Sequence, residues 1–244
     1  MIPKIIHYCW FGGKPLPALA EKCIASWKKF QPDFEIKRWD EHNFDVNSIA
    51  YTREAYAKRK FAFVSDYARF VILYKEGGIY FDTDVELLRP LAPVLASGPF
   101  MGDERPGCCN VGLGFGAEAG MPFLKEIIDF YGTLSFNEVS HQLSTNNVVS
   151  YVSSALRRYG YKDCNHKQQI AGFTIYPSEY FCPIDCRTKQ MHMTIHTYSV
   201  HHYAESWVTP RMKIYERCKK IFGLRFTQFL AALLKIPAKL VRKS

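Results

Sequence analysis

The order strand, helix, strand over residues 2–39 leaves few architectures open to this chain. Residues 2–9 form an apolar run with Ile5, Ile6 and Tyr8, ending in Trp10-Phe11-Gly12-Gly13, which reads as a buried strand that stops at a glycine turn. Residues 16–30 then show helical spacing, with Leu19, Cys23 and Trp27 on one side. Phe34-Glu35-Ile36-Lys37-Arg38-Trp39 alternates as a half-buried strand. A unit of this kind at the start of a chain argues for an α/β sandwich around a mainly parallel sheet, with ligands taken where the strands end.

A second unit repeats the logic. Residues 65–76 place Tyr67, Phe70, Val71 and Tyr74 at steps of three and four, and Gly77-Gly78 stops the helix. Ile79-Tyr80-Phe81 follows as a short strand, and Asp82-Thr83-Asp84 stands where that strand leaves the sheet. Two carboxylates two residues apart leave the same face of an extended segment, so both reach one hard divalent cation, Mn2+ or Mg2+. Such an ion can bridge a diphosphate and neutralise charge on a departing nucleotide. On the preceding helix Asp66 and Arg69, three residues apart, present an acid and a guanidinium fork toward the same end. Further on, residues 100–102, 111–115, 173–176 and 193–198 read as strands, and residues 122–131 and 146–159 as helices.

Composition removes several function classes. The chain has 244 residues, 48% hydrophobic and 15% aromatic, enough for one sizeable core. Its net charge of +9 is confined to the end: residues 211–244 hold ten Lys or Arg against Glu216, and residues 1–210 hold 22 basic and 22 acidic side chains. The body therefore lacks the basic field of a nucleic-acid binder. No window of about 18 apolar residues occurs, and Met1-Ile2-Pro3-Lys4 does not read as a signal peptide, so the expectation is a cytoplasmic protein. Eight cysteines suit a reduced compartment; Cys182 and Cys186 with Cys164 and His166 make a weak zinc pattern.

The string Ser65-Asp66-Tyr67-Ala68-Arg69-Phe70, followed by Gly77-Gly78-Ile79-Tyr80-Phe81-Asp82-Thr83-Asp84, closely resembles the sugar-binding region of DXD-containing glycosyltransferases. That group, glycosyltransferase family thirty-two, includes yeast-type initiating mannosyltransferases and bacterial capsular polysaccharide enzymes. The opening Ile2-Pro3-Lys4-Ile5-Ile6-His7-Tyr8-Cys9-Trp10, Ser26-Trp27 and Trp39 belong to the same likeness, which covers residues 2–90 well. The resemblance implies a GT-A-type fold and transfer with retention from a UDP-sugar, or a GDP-sugar, to a saccharide or lipid-linked acceptor in surface polysaccharide synthesis. It implies that Trp10 lies near the nucleotide base, that Asp66 and Arg69 hold donor hydroxyls and phosphate, that Tyr80 lines the donor site, and that Asp82 and Asp84 meet metal and ribose.

The second half is looser. Asn110 and Pro122-Phe123 match a small segment, whereas Ser144-Thr145-Asn146 stands where relatives carry Thr-Gly-Pro; Asn146 is expected at the donor site. His201-His202-Tyr203-Ala204-Glu205-Ser206-Trp207 is similar to the closing motif of such enzymes, which implies His202 as third metal ligand and Ser206 and Trp207 on the diphosphate. Past Pro210, Tyr215, Cys218, Phe222, Phe226, Phe229 and Leu233 recur at three and four residues among Lys213, Arg217, Lys220 and Arg225. The division expected is a catalytic domain over residues 1–209 and a basic amphipathic helix over 210–244, lying on the anionic inner face of the plasma membrane.

Two other readings use the same residues. A haloacid dehalogenase-like phosphatase would make Asp82 a nucleophile but wants Thr or Val where Glu86 stands, and a calcium loop wants Gly where Leu87 stands. A noncatalytic membrane scaffold would leave Asp66, Arg69 and the Asp pair without a task.

Overall fold

The computed structural model describes residues 1–142, 145–185, 188 and 190–204. In chain order these form β1 (Ile5–Cys9), α1 (Ala18–Phe30), β2 (Glu35–Trp39), α2 (Ala50–Ala57), α3 (Phe61–Glu76), β3 (Gly78–Tyr80), β4 (Val85–Leu87), α4 (Ala92–Leu95), β5 (Phe100–Arg105), β6 (Cys108–Cys109) and β7 (Phe115–Ala117). Then come α5 (Pro122–Gly132), α6 (Phe136–Val139), α7 (Val148–Arg157), β8 (Gln168–Ile170), β9 (Phe173–Tyr176) and β10 (Ser199–His201).

The central sheet has the order β2-β1-β3-β7-β5-β9-β8, with β6 hydrogen-bonded to β5. β1 pairs in parallel with both β2 and β3, and β5 with β9; β7, β8 and β6 run antiparallel to their neighbours. β2, β1, β3, β5 and β9 thus share one direction. The expected mainly parallel α/β sheet is present, interrupted by β7.

Side-chain alternation builds the layers. On β1, Ile6 and Tyr8 enter one apolar cluster with Trp27, Phe81 and Leu87, while Cys9 enters the other with Tyr67, Phe70 and Tyr131. On β3, Ile79 follows the first set and Tyr80 the second. Helix α1 covers one face, and α2, α3, α5 and α7 cover the opposite one. Helix α3 is apolar on nearly all sides because it lies between the sheet and other helices; Phe63, Val64, Tyr67, Ala68, Phe70, Ile72 and Leu73 are buried.

Glycine ends α3 for a stated reason. Gly77 has φ +67°, and its N–H donates to the Leu73 carbonyl; a Cβ on Gly78 would lie 2.7 Å from the Ile5 carbonyl and 2.9 Å from His7 Nε2. The chain can therefore turn from helix into strand only tight against β1, which brings β3 and the residues after it to the end of β1.

Several elements differ from the sequence reading. The strand expected over 111–115 is displaced to Phe115–Ala117, and that expected over 193–198 to Ser199–His201, three-residue strands whose partners lie far away in sequence. Helix α2 has no counterpart in the sequence reading, for it is two turns long and only Tyr51, Thr52 and Ala55 of its eight residues are buried, too few to mark a periodic apolar face. The segments 205–244, with Ser206, Trp207 and the amphipathic tail, and Ser144 and Cys186, lie outside the described residues.

Candidate functional site

Four side chains converge where β3 leaves the sheet. Tyr80 and Asp82 have the same parity, so both point to the α3 side, where Arg69 projects from the helix. The Arg69 guanidinium donates to Asp66 Oδ1 at 2.8 Å, lies 3.2 Å from Asp82 Oδ1, and gives its Nε–H to the Ser65 carbonyl at 3.0 Å. Its carbon sits 4.8 Å from the Tyr80 ring centre, and the Tyr80 hydroxyl donates to Asp82 Oδ1 at 3.1 Å. Arg69 is 3% exposed and Asp66 nearly as well covered, so this pair is shielded from solvent, whereas Asp82 keeps one side open. Burial pushes the Asp66 carboxyl up to about 6 against the pull of Arg69, and Asp82 is likewise raised by burial, with Asp84 adding to it.

The other side of Asp82 is fixed by backbone. Its N–H donates to the Gly112 carbonyl, and the Gly112 N–H donates to Asn110 Oδ1, whose amide nitrogen donates in turn to Glu104 Oε2 at 3.0 Å. A Cβ on Gly112 would collide with Asp82 Oδ2. The glycine is what lets the loop after β6 lie against the carboxylate.

Asp84 meets the far end of the chain. β4 pairs antiparallel with β10 in the register His201 opposite Val85, which brings His201 Nε2 to 3.1 Å from Asp84 Oδ1. Trp27, fully buried, anchors β4 through its indole N–H on the Val85 carbonyl at 2.7 Å. Ligand atoms of Asp82, Asp84 and His201 all lie within 4.8 Å of one another. The imidazole Nδ1 is buried and has no hydrogen-bond partner among the described residues. Burial works to lower the His201 pKa, but the Asp84 carboxylate, with Asp82 behind it, more than offsets this and leaves it raised.

The residues fit a divalent cation. Two carboxylates and an imidazole are a donor set suited to Mn2+ or Mg2+.

The structure brings Asp66, Arg69, Tyr80, Asp82 and Asp84 together, but places His201 and not His202 beside the Asp pair. His202 Nε2 lies 2.8 Å from Glu86 Oε2, which also accepts from Lys22 Nζ at 2.9 Å. The cause is strand alternation, for the parity of the His pair depends on the β10–β4 register, which no local pattern reveals. Trp10 follows β1 at the same edge of the sheet, half-buried, its indole N–H on the Lys14 carbonyl at 2.7 Å. Asn146 lies in the turn before α7, its N–H on the Gln142 carbonyl, and Asn147 caps the helix. Asn110 and Gly112, not among the expected ligands, are the supports of Asp82; the sequence singled out Asn110 only as part of a matching segment, and Gly112 not at all.

Residues 17–101 match the glycosyltransferase sugar-binding region containing the DXD motif. Inositol phosphoceramide mannosyltransferase 3 of Schizosaccharomyces pombe is 31% identical over 144 residues, covering 56% of this chain and 39% of its own. An uncharacterised glycosyltransferase of Acanthamoeba polyphaga mimivirus is 33% identical over 110 residues, covering 41% of this chain and 42% of its own. The chain thus spans about two fifths of the length of these curated relatives. Among solved structures, the PaToxG glycosyltransferase superposes with a TM-score of 0.51 at 18% identity, covering 64% of this chain and 69% of that one. That likeness is one of fold, and the fold is of GT-A type.

Proposed function

We propose, from a chain whose residues 17–101 belong to the sugar-binding region of DXD-containing glycosyltransferases, that it transfers a hexose from a nucleotide-diphosphate sugar to a saccharide or lipid-linked acceptor. The observation that carries this is the convergence of Asp82, Asp84 and His201 within 4.8 Å, beside the buried Arg69. Asp82, Asp84 and His201 hold Mn2+ or Mg2+, which when bound supplies positive charge to the leaving diphosphate. Arg69 keeps Asp66 and Asp82 ionised and oriented, and Asp66 faces the donor sugar. Trp10 receives the nucleotide base, Tyr80 and Asn146 line the donor, and Ser206 and Trp207, outside the described residues, close on the diphosphate. With positioning and charge supplied in this way, transfer proceeds on one face with retention, and no side chain is required as nucleophile.

The finer proposal is a UDP-linked hexose and a growing bacterial surface polysaccharide as acceptor, made at the anionic inner membrane to which residues 210–244 attach. The fission-yeast relative's name adds mannose, and so a GDP-sugar, to the donors to be tried.

The test measures melting temperature and donor turnover against UDP- and GDP-sugars, with Mn2+ or with chelator, alongside Asp84→Asn. One nucleotide sugar at about 100 times its Kd should stabilise by about 2.7 kcal/mol, roughly 5–10 °C in Tm, only with Mn2+ and not in Asp84→Asn. Indifference to every donor, with turnover of a simple phosphate ester, would overturn the reading in favour of a phosphatase.

A further inference from the structure

Glu41, just past β2, ties together two segments that flank the donor end of the site. Its Oε1 and Oε2 accept the Gly12 N–H at 3.0 and 3.3 Å, and Oε1 also accepts the Tyr56 hydroxyl at 2.9 Å. Gly12 belongs to the turn that follows Trp10, and Tyr56 to the last turn of α2. The Tyr56 ring lies 5.4 Å from that of Phe61, the first residue of α3, which five residues later carries Asp66.

The turn itself cannot be replaced by ordinary chain. Gly12 has φ +93° and Gly13 φ +67°, and a Cβ on Gly12 would collide with the Phe61 ring. Trp10 is held at both ends, its N–H on the Trp39 carbonyl at 2.8 Å and its indole N–H on the Lys14 carbonyl at 2.7 Å. Between those two bonds, the Glu41 carboxylate is the side chain that reaches across to the turn's backbone. A charge-assisted bond to a backbone N–H is of the stronger kind. Burial alone would raise the Glu41 carboxyl, but its own backbone N–H, the Tyr56 hydroxyl and the Gly12 N–H hold it below the usual value.

We propose that Glu41 is a positioning residue for the donor: it pre-shapes residues 10–13 so that Trp10 meets the nucleotide base without first ordering the turn. The assignment rests on the transferase reading and extends it to a residue that touches neither metal nor sugar. A pre-ordered turn lowers the cost of binding and leaves the chemical step alone, so its loss should raise donor KM and spare kcat.

The experiment compares the unaltered protein with Glu41→Ala, Glu41→Gln and Tyr56→Phe. Affinity for UDP and for GDP in Mn2+ is read by calorimetry, and amide hydrogen exchange is read over residues 10–16. Glu41→Ala should accelerate exchange in that segment, weaken nucleotide binding about tenfold and leave kcat within about twofold. Glu41→Gln, which retains an acceptor for Gly12, should recover most of the affinity. Tyr56→Phe should fall between the two.

Faster exchange with unchanged nucleotide affinity would reduce Glu41 to a purely structural brace and overturn the proposal while leaving the transferase reading intact. Unchanged exchange in Glu41→Ala would overturn it too. Failure of the unaltered protein to bind either nucleotide overturns the donor reading itself, and the assignment with it.

Discussion

Adjacent residues on an extended strand point to opposite sides, and at His201 and His202 that alternation separates two chemistries. The buried His201 reaches Asp84, whereas His202 reaches Glu86, which is shared with the largely exposed Lys22. Replacing His201 by Ala removes an imidazole from a site whose remaining groups are carboxylates, and Mn2+ affinity should fall roughly 10–100-fold. His202→Ala breaks a contact to Glu86 that lies outside the Asp82–Asp84–His201 cluster and should change it by no more than about twofold. Calorimetric titration of Mn2+ into both variants decides the matter; a larger loss in His202→Ala would reverse the assignment of the third ligand. The Asp pair, Asp66 and Arg69 are legible in sequence because their spacing is local. His201 is not, since its place depends on pairing with Val85, more than a hundred residues away in the chain.

At the scale of elements, β1, α1, β2, α3 and β3 could be read directly because strong apolar periodicity is punctuated by Gly12-Gly13 and Gly77-Gly78. β7 and β10 lie a few residues beyond where the sequence places strands, because their bounds are set by the neighbours that pair with them and not by local pattern. The seam of β2, β1 and β3 holds a group whose meaning also appears only in three dimensions. His7 is fully buried; its Nδ1 accepts the Trp39 indole N–H at 3.0 Å, so its Nε2 carries the proton given to the Gly77 carbonyl at 3.0 Å. Burial lowers its pKa to about 4. Between about 4 and the ordinary value of 6.5 the unfolded chain binds a proton that the folded one refuses, so this contribution is whole above 6.5 and is lost as pH falls. The stability advantage of the unaltered protein over His7→Phe should therefore shrink by on the order of 3 kcal/mol between pH 7.5 and 4. Denaturant unfolding across that range measures it, and an advantage independent of pH would mean that His7 is not the titrating group.

Over the whole molecule, buried titrating groups pull stability in opposite directions as pH changes, and Asp103 opposes His7. It lies on β5, 2% exposed, accepting the Tyr161 hydroxyl, and burial raises its carboxyl to about 7. A raised acid binds its proton in the folded state at pH values where the unfolded chain, at 3.8, has released it. Its contribution is therefore greatest in acid and is lost as pH rises toward and past about 7, the reverse of the His7 case. Asp103→Asn keeps an acceptor for Tyr161 and removes the buried charge. Relative to the unaltered protein it should gain on the order of 4 kcal/mol as pH rises from about 4 to 8, and be the more stable of the two at the alkaline end. The His7→Phe difference moves the other way over the acid part of this range, so the two variants together separate local titration from any general effect of net charge, which would shift both alike. An Asp103→Asn difference that stays flat with pH would mean that the Tyr161 hydrogen bond offsets burial and that the carboxyl titrates in the fold as it does in the unfolded chain.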